Sequence, residues 1–468
     1  MEKNLRFGAI DRLKIFFRSQ IELLVGGRLI QGVVIGAGSK LIGFGRDFLI
    51  PNILGVSVTA DLFVLVMRIT LFVRSVIGDN LWISLFVPRL VLYLPGTSLK
   101  LDAERRLWSK AARGVLLFEL VCIPVRILIL MDCLFWNVLI VRSDFNQVFF
   151  YEISSLSFAP LLLGCIMLAL LHSRNNVLSA NSIAGWSNIT FVALLSFVAF
   201  LENEDIKLVM LAASFTAAAI LQVAMAKRVL RYEFSWRQVF AEPIFVKRSK
   251  RPAVQILLVA AGLSLQSLPS LLVSLAATSA VSGTITMLYL GQRLVMLFPM
   301  LVALPMASLM FPELSAVLKR AEHGEARKFV NIALLQGLLL SVIGCVLTFA
   351  AIWPVSHVIF MRSSAATAQL SAFYAVVMLL MPLIPLVFTM QILQRFLRAN
   401  GADWAVFFSG LVGSLVTMGF IWFYIFYRKV LSIDELACAL VAGTAATVIY
   451  MLLIYFSQKT LLGTARNV

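Results

Sequence analysis

The sequence predicts an all-α polytopic membrane protein of about twelve transmembrane helices, arranged as two six-helix lobes related by a parallel pseudo-two-fold repeat. Three observations carry this reading. The composition is 61% hydrophobic and 13% charged, with mean hydropathy +0.95, whereas soluble domains carry about 25% charged residues. Windows of roughly 20 residues, the length a helix needs to cross the apolar part of a bilayer, place spans centred on Ile35, Leu71, Leu120, Leu161, Ala193, Ala217, Leu265, Leu297, Ile343, Met381, Gly413 and Thr447. Finally, SLFVP at 84–88 recurs as SLMFP at 308–312, and Arg174 with Asn176 recurs as Arg398 with Asn400, each at an offset of 224 positions.

Six spans separate the two copies, so both keep the same orientation and the repeat axis runs along the membrane normal. The expected division is 1–226 for the N-terminal lobe with an amphipathic lead-in, 227–251 for a basic cytoplasmic linker, and 252–468 for the C-terminal lobe. Basic residues set the orientation. Segments on one side of the twelve spans hold 28 Lys and Arg, against about six in the opposite loops, which places both termini in the cytoplasm. The net charge of +17 then follows from topology and from contact with anionic membrane lipids. A nucleic-acid partner is not needed to account for it, even at KRSKR in 247–251.

Enzymatic chemistry finds little support. The five cysteines and three histidines are scattered, without metal or redox spacing, and no nucleophile triad, P-loop or HExxH is present. No cofactor or metal is expected. The N-terminal MEKNLRFGAIDRLKIFFRSQ lacks a small-residue cleavage site after an apolar core, so it reads as an interfacial helix.

The informative stretch is 40–88, where Lys40, Arg46, Asp47, Asp61, Arg68, Arg74 and Asp79 interrupt an otherwise apolar run. Intramembrane charges face a bundle interior or a wet cavity. At about 100° per residue, Asp61, Arg68 and Asp79 fall within roughly 40° of one another on a helix. Two readings stay open from the residues alone: ion pairs that only hold helices together, and a cationic cavity for an anionic substrate. Arg293, in YLGQRLVMLFP, adds a further intramembrane cation at the position that repeats the neighbourhood of Arg68. Gln266 and Ser267 read as polar contacts between helices.

The stretch 40–88, with its GxxRD motif, an acidic residue opening the next span, basic residues two and four turns on, and an FVP ending, resembles the start of the MurJ/MviN lipid II flippases. The segment 284–320, with its FPELS exit, resembles their eighth span. The resemblance implies that Lys40, Arg46, Arg68, Arg74 and Arg293 bind substrate, and that Asp47, Asp61 and Asp79 act in gating or charge pairing. Two features depart from the family. Gln292 stands where the family carries an acidic residue, and the two further C-terminal spans usual in it do not follow the twelfth.

The resemblance implies a flippase of the bacterial cytoplasmic (inner) membrane that carries a polyprenyl-diphosphate-linked saccharide, lipid II or a close relative, to the outer leaflet by alternating access. Cell-wall or polysaccharide synthases would be further partners. Guanidinium groups suit a diphosphate, which they clasp bidentately, whereas a cationic drug would be repelled by the same cavity. Asp61 would repel the diphosphate too, so a gate contact or a cap on its own helix fits it better. An exporter of undecaprenyl-diphosphate-linked exopolysaccharide or O-antigen units, and a transport-dead scaffold that binds the lipid carrier, are the alternatives.

Overall fold

The computed structural model describes residues 27–77, 98–131, 156–174, 176–230, 251–304, 323–360, 366–428 and 431–464, with isolated positions between 306 and 318. Asp79, the repeat segment 84–88, most of its copy at 308–312, the linker from 231 to 250 and the N-terminal lead-in lie outside the described residues.

All the regular structure described is helical. The N-terminal half contributes α1 (Gly27–Leu54), α2 (Val58–Ile77), α3 (Ser98–Met131), α4 (Phe158–Ser173), α5 (Val177–Val198) and α6 (Glu204–Val229). The C-terminal half contributes α7 (Arg251–Ala276), α8 (Thr284–Leu301), α9 (His323–Phe360), α10 (Ala366–Leu380), α11 (Leu383–Ala399), α12 (Asp403–Arg428) and α13 (Ile433–Thr464). Every expected span centre falls in one of these helices except Met381, which sits in the turn between α10 and α11. The break follows from Pro382, which has no N–H to donate and whose ring crowds the preceding turn. Eight helices among the described residues are long and apolar enough to cross a membrane. α2 misses that mark because Asp61, Arg68 and Arg74 fall within its twenty residues.

Local chemistry sets several helix starts. The Asn176 side chain accepts the Ser179 N–H at 3.3 Å and caps α5. Ser432 and Glu435 exchange bonds at the start of α13, with Ser432 N–H donating to Glu435 Oε2 at 2.9 Å and Glu435 N–H to Ser432 Oγ at 3.3 Å, the reciprocal box that satisfies two orphan amides at once.

Within the N-terminal half α1 packs on α5, α5 and α4 on α6, and α3 on α4. Arg174 at the end of α4 reaches the buried Glu104 of α3 at 2.5 and 2.9 Å. Within the C-terminal half α12 packs on α7 and α13, and α9 on α11. The halves meet where α1 and α2 face α7, α8 and α9. Phe63, Val64 and Met67 of α2 share one buried cluster there with Leu288, Tyr289 and Leu290 of α8. The outer faces are apolar: Leu338, Val342, Val346 and Trp353 of α9 are exposed, as are Trp422, Phe426 and Tyr427 of α12. Such a surface suits lipid rather than water. The stacked pairs Trp422–Phe426 and Phe423–Tyr427 beside Arg428 mark where α12 meets a membrane interface.

α12 and α13 approach closely because Gly413 and Gly443 face each other. A Cβ on Gly443 would stand 2.7 Å from the Gly413 carbonyl oxygen and would also collide with Thr417 Oγ1. Small residues at such a crossing let backbones touch and gain dispersion contact without a hydrophobic drive. Gly443→Ala is therefore expected to destabilise the fold by about 1–3 kcal/mol, the scale of overpacking, read as a lower Tm in detergent; an unchanged Tm would mean that the two helices separate freely.

Candidate functional site

Asp47 is the centre of the site. It lies on α1, is 2% exposed, and is flanked by two arginines and a tyrosine. Arg46 donates to its Oδ1 through Nε at 2.8 Å and Nη2 at 2.6 Å. Tyr289 of α8 donates its hydroxyl to Oδ2 at 2.8 Å, and Arg293 Nε stands 3.0 Å from the same oxygen. A carboxylate removed from water needs this company, since desolvation alone costs several kcal/mol per ion. Neighbours in sequence, Arg46 and Asp47 pair directly. Tyr289 and Arg293, four residues apart on one helical face, bring the contacts of the other half.

Arg68 enters from α2. Its Cζ lies 5.0 Å from the Tyr289 ring centroid, and that of Arg293 lies 4.9 Å away, so one aromatic ring faces two guanidinium groups. Arg68 Nη1 donates to Ser270 O of α7 at 3.2 Å, while its Nε is buried without a partner. Arg46 also donates through Nη1 to Asn188 Oδ1 of α5 at 3.1 Å, and its Cζ lies 5.4 Å from the Phe191 ring centroid. Asn188 in turn donates to Ser39 O at 3.2 Å.

A cavity of about 160 Å³ opens beside these groups, bounded by Arg68, Phe72, Ser270, Tyr289, Arg293 and Met300 among others. Lys40 of α1 sits close by, its ammonium donating to Met300 O at 2.7 Å across the halves. Arg74, in the last turn of α2, is half-buried and does not line this cavity. Gln292 donates to Ser270 Oγ at 2.7 Å. Ser267 lines the cavity and donates to Leu263 O and Ser264 O of its own helix.

Asp61 lies at the other end of α2 and caps a helix other than its own. The start of α2 is served by Ser57 Oγ, which accepts the Ala60 N–H at 3.2 Å. The Asp61 carboxylate crosses to α8, where Oδ2 accepts the Gly283 N–H at 2.6 Å and Oδ1 accepts the Thr286 N–H and hydroxyl, each at 2.7 Å. Gly283 has φ +89°, a conformation that L side chains rarely adopt, and it turns that amide towards the carboxylate. A negative charge on the free amides of a helix N-terminus is favoured by both hydrogen bonding and the helix dipole.

The structure thus brings Arg46, Asp47, Arg68 and Arg293 into one cluster, sets Lys40 beside it and Asp61 at a separate contact between the halves, and leaves Arg74 off the cavity wall. Tyr289, Asn188 and Ser270 were not singled out from sequence. Tyr289 carried a signal: a tyrosine inside an apolar span needs a partner for its hydroxyl, and it sits one turn before Arg293.

A family model described as lipid II flippase MurJ matches residues 50–467. No curated protein matches the chain in sequence. Among solved structures, a lipid II flippase MurJ in an inward closed conformation superposes with TM-score 0.66 at 16% identity, covering 92% of this chain and 87% of that one. A MATE transporter bound to MaL6 gives 0.65 at 11% identity, covering 93% and 96%. A MOP superfamily transporter from Pyrococcus furiosus, whose binding pocket has reversed polarity, gives 0.64 at 11%, covering 92% and 95%. These likenesses fix the fold, and the family match over nearly the whole length assigns the chain: it belongs to the MurJ lipid II flippase family, multi-pass membrane transporters rather than enzymes.

Proposed function

We propose that the chain moves a polyprenyl-diphosphate-linked saccharide, lipid II or a close relative, from the cytoplasmic to the outer leaflet by alternating access of two six-span lobes, with the diphosphate held by Arg46, Arg68 and Arg293. The observation that carries this reading is the gathering of three guanidinium groups from α1, α2 and α8 beside a cavity between the halves, Arg46 and Arg293 on the buried Asp47 carboxylate and Arg68 over the ring of Tyr289. Three cations against one anion leave two positive charges in excess. A disubstituted diphosphate carries two ionised oxygens, so it would balance the cluster.

Asp47 keeps Arg46 and Arg293 compensated while the site is empty of substrate. An arriving diphosphate competes for Arg293 and Arg68, and Asp47 falls back on Arg46 and Tyr289. Arg46 stays paired in both conditions, which matters because breaking a buried pair costs about 3–5 kcal/mol, and Arg68, held only by Ser270 O and the Tyr289 ring without substrate, gains an anion when it arrives. Lys40 supplies a further ammonium next to the cavity. Arg74, six residues beyond Arg68 and so roughly 9 Å along α2, is placed to attract the diphosphate at the cytoplasmic mouth.

The cavity is far too small for a lipid-linked saccharide, so the halves must part to admit one. With both termini in the cytoplasm, as the distribution of basic residues favours, Asp61 and the start of α8 lie at the outer end. Their contact then acts as the outer latch: a short set of charge-assisted bonds, closed while the cavity faces the cytoplasm and open when substrate leaves outward.

Replacing Arg46, Arg68 or Arg293 by Ala removes a charge-assisted contact to phosphate worth about 1.5–3 kcal/mol, so each variant is expected to lose at least tenfold in transport at normal membrane abundance. Complementation of a strain depleted of its lipid II flippase measures this; three fully active variants would refute the diphosphate clasp. The latch is tested separately. Asp61→Asn keeps one acceptor oxygen but removes the charge, and is expected to abolish transport with little change in Tm, together with increased labelling of a cysteine placed at position 56 by an impermeant thiol reagent added from outside. Normal transport in the Asn variant would rule the latch out.

A further inference from the structure

Arg68 differs from the other two arginines of the cluster. Arg46 and Arg293 each stand against a carboxylate oxygen of Asp47, whereas among the described residues no carboxylate lies within ion-pair distance of Arg68. It is 9% exposed, donates to Ser270 O, and keeps its Nε buried without a partner. A buried guanidinium in that condition is drawn to any carboxylate its long side chain can reach, because pairing offsets the cost of holding the charge out of water. Asp47 is such a carboxylate. It accepts from the hydroxyl of the tyrosine over whose ring Arg68 lies, so Arg68 and Asp47 address different parts of one side chain.

Tyr289 is held firmly at that place. Its hydroxyl has a single hydrogen, given to Asp47 Oδ2 at 2.8 Å, and Met67 Sδ at 3.9 Å is too weak an acceptor to draw it away. On either side of it Leu288 and Leu290 are buried. Gly291 brings α10 so close that a Cβ there would meet Val376 Cγ1 at 3.0 Å, which fixes the rotation of α8 about its axis. With the hydroxyl end committed, the ring carries the Arg68 guanidinium at 5.0 Å and that of Arg293 at 4.9 Å. The faces of an aromatic ring are electron-rich and attract a guanidinium without neutralising it.

We propose that Tyr289 is a positioning residue, an aromatic spacer that holds Arg68 near Asp47 without letting the two pair, so that the cavity keeps one guanidinium free for an anion. Without the ring the cluster neutralises itself: Arg68 joins Arg46 and Arg293 on Asp47, and an arriving anion must first pull it away. This role rests on the diphosphate reading given above and adds to it a residue that acts through Arg68.

The test is binding of farnesyl diphosphate, with farnesol as the control for the tail, to the purified full chain in detergent. Tyr289→Phe keeps the ring and is expected to bind within about threefold of wild type, the scale of one neutral hydrogen bond. Tyr289→Leu removes the ring and is expected to bind about tenfold more weakly, the scale of a charge-assisted contact, with a Tm close to that of Tyr289→Phe; Tyr289→Met takes its place if the Leu variant does not fold. In an Arg68→Ala background, itself weakened, the Phe and Leu variants are expected to bind alike, because the spacer then has nothing to hold. A Leu variant that binds as the Phe variant does while Arg68 is present, or a gap between them that persists undiminished after Arg68→Ala, overturns the spacer and leaves the diphosphate clasp standing. Failure of wild type to bind farnesyl diphosphate overturns the clasp and the spacer with it.

Discussion

A carboxylate buried where two halves of a membrane protein meet has to be compensated, and the structure around Asp47 is arranged to do so. Arg46 precedes it on the same helix, and Tyr289 and Arg293 reach it from α8. Removing any one partner would leave charge exposed to a low-dielectric interior, where the penalty is several kcal/mol. The same compensation fixes the register of α1 against α8, because Tyr289 and Arg293 lie one turn apart and both address a single oxygen. Arg68 then joins through the Tyr289 ring and Ser270 O, so α2 and α7 are tied to the same point.

The contacts between the halves fall at three levels along the helices. Asp61 holds the start of α8, Asp47 holds its middle, and Lys40 reaches Met300 near its end. α8 is therefore the element against which the N-terminal half is positioned. The bonds differ in kind. The Asp61 contact joins one carboxylate to two backbone amides and one hydroxyl, with no cation among them. The Asp47 cluster cannot be dismantled without stranding a charge, which suits a centre that keeps its charges paired while other contacts change.

The polar seam between the halves sets charge into helices that are otherwise apolar. α2 holds three charged residues in twenty, while α9 and α13 are long and apolar on their outer faces. Apolar surface faces outward on these helices, and the charges of Asp47, Arg68 and Arg293 are set in the seam where protein covers them. Close glycine packing of α12 on α13 and the polar seam between halves are two solutions to one problem, the absence of a hydrophobic drive for association once helices are in a bilayer.

Composition and the spacing of apolar windows were enough for the all-helical membrane class, because a bilayer admits so few alternatives: twenty apolar residues without partners for their backbone can only be a helix. The same scarcity made Arg46, Asp47, Asp61, Arg68 and Arg293 visible, since a charge in such a run has to be accounted for. What the sequence left undecided was partnership. The Pro382 break of one expected span into α10 and α11 was written in the chain but is indistinguishable there from a kinked continuous helix. That Tyr289 stands between two arginines, that Arg74 lies off the cavity wall, and that Asp61 caps α8 and not α2 follow from how helices more than 200 residues apart in sequence are set against each other. Charge and hydropathy are properties of single positions and survive in one dimension; a hydrogen bond or an ion pair belongs to two positions at once, and only the packed tertiary structure decides which two.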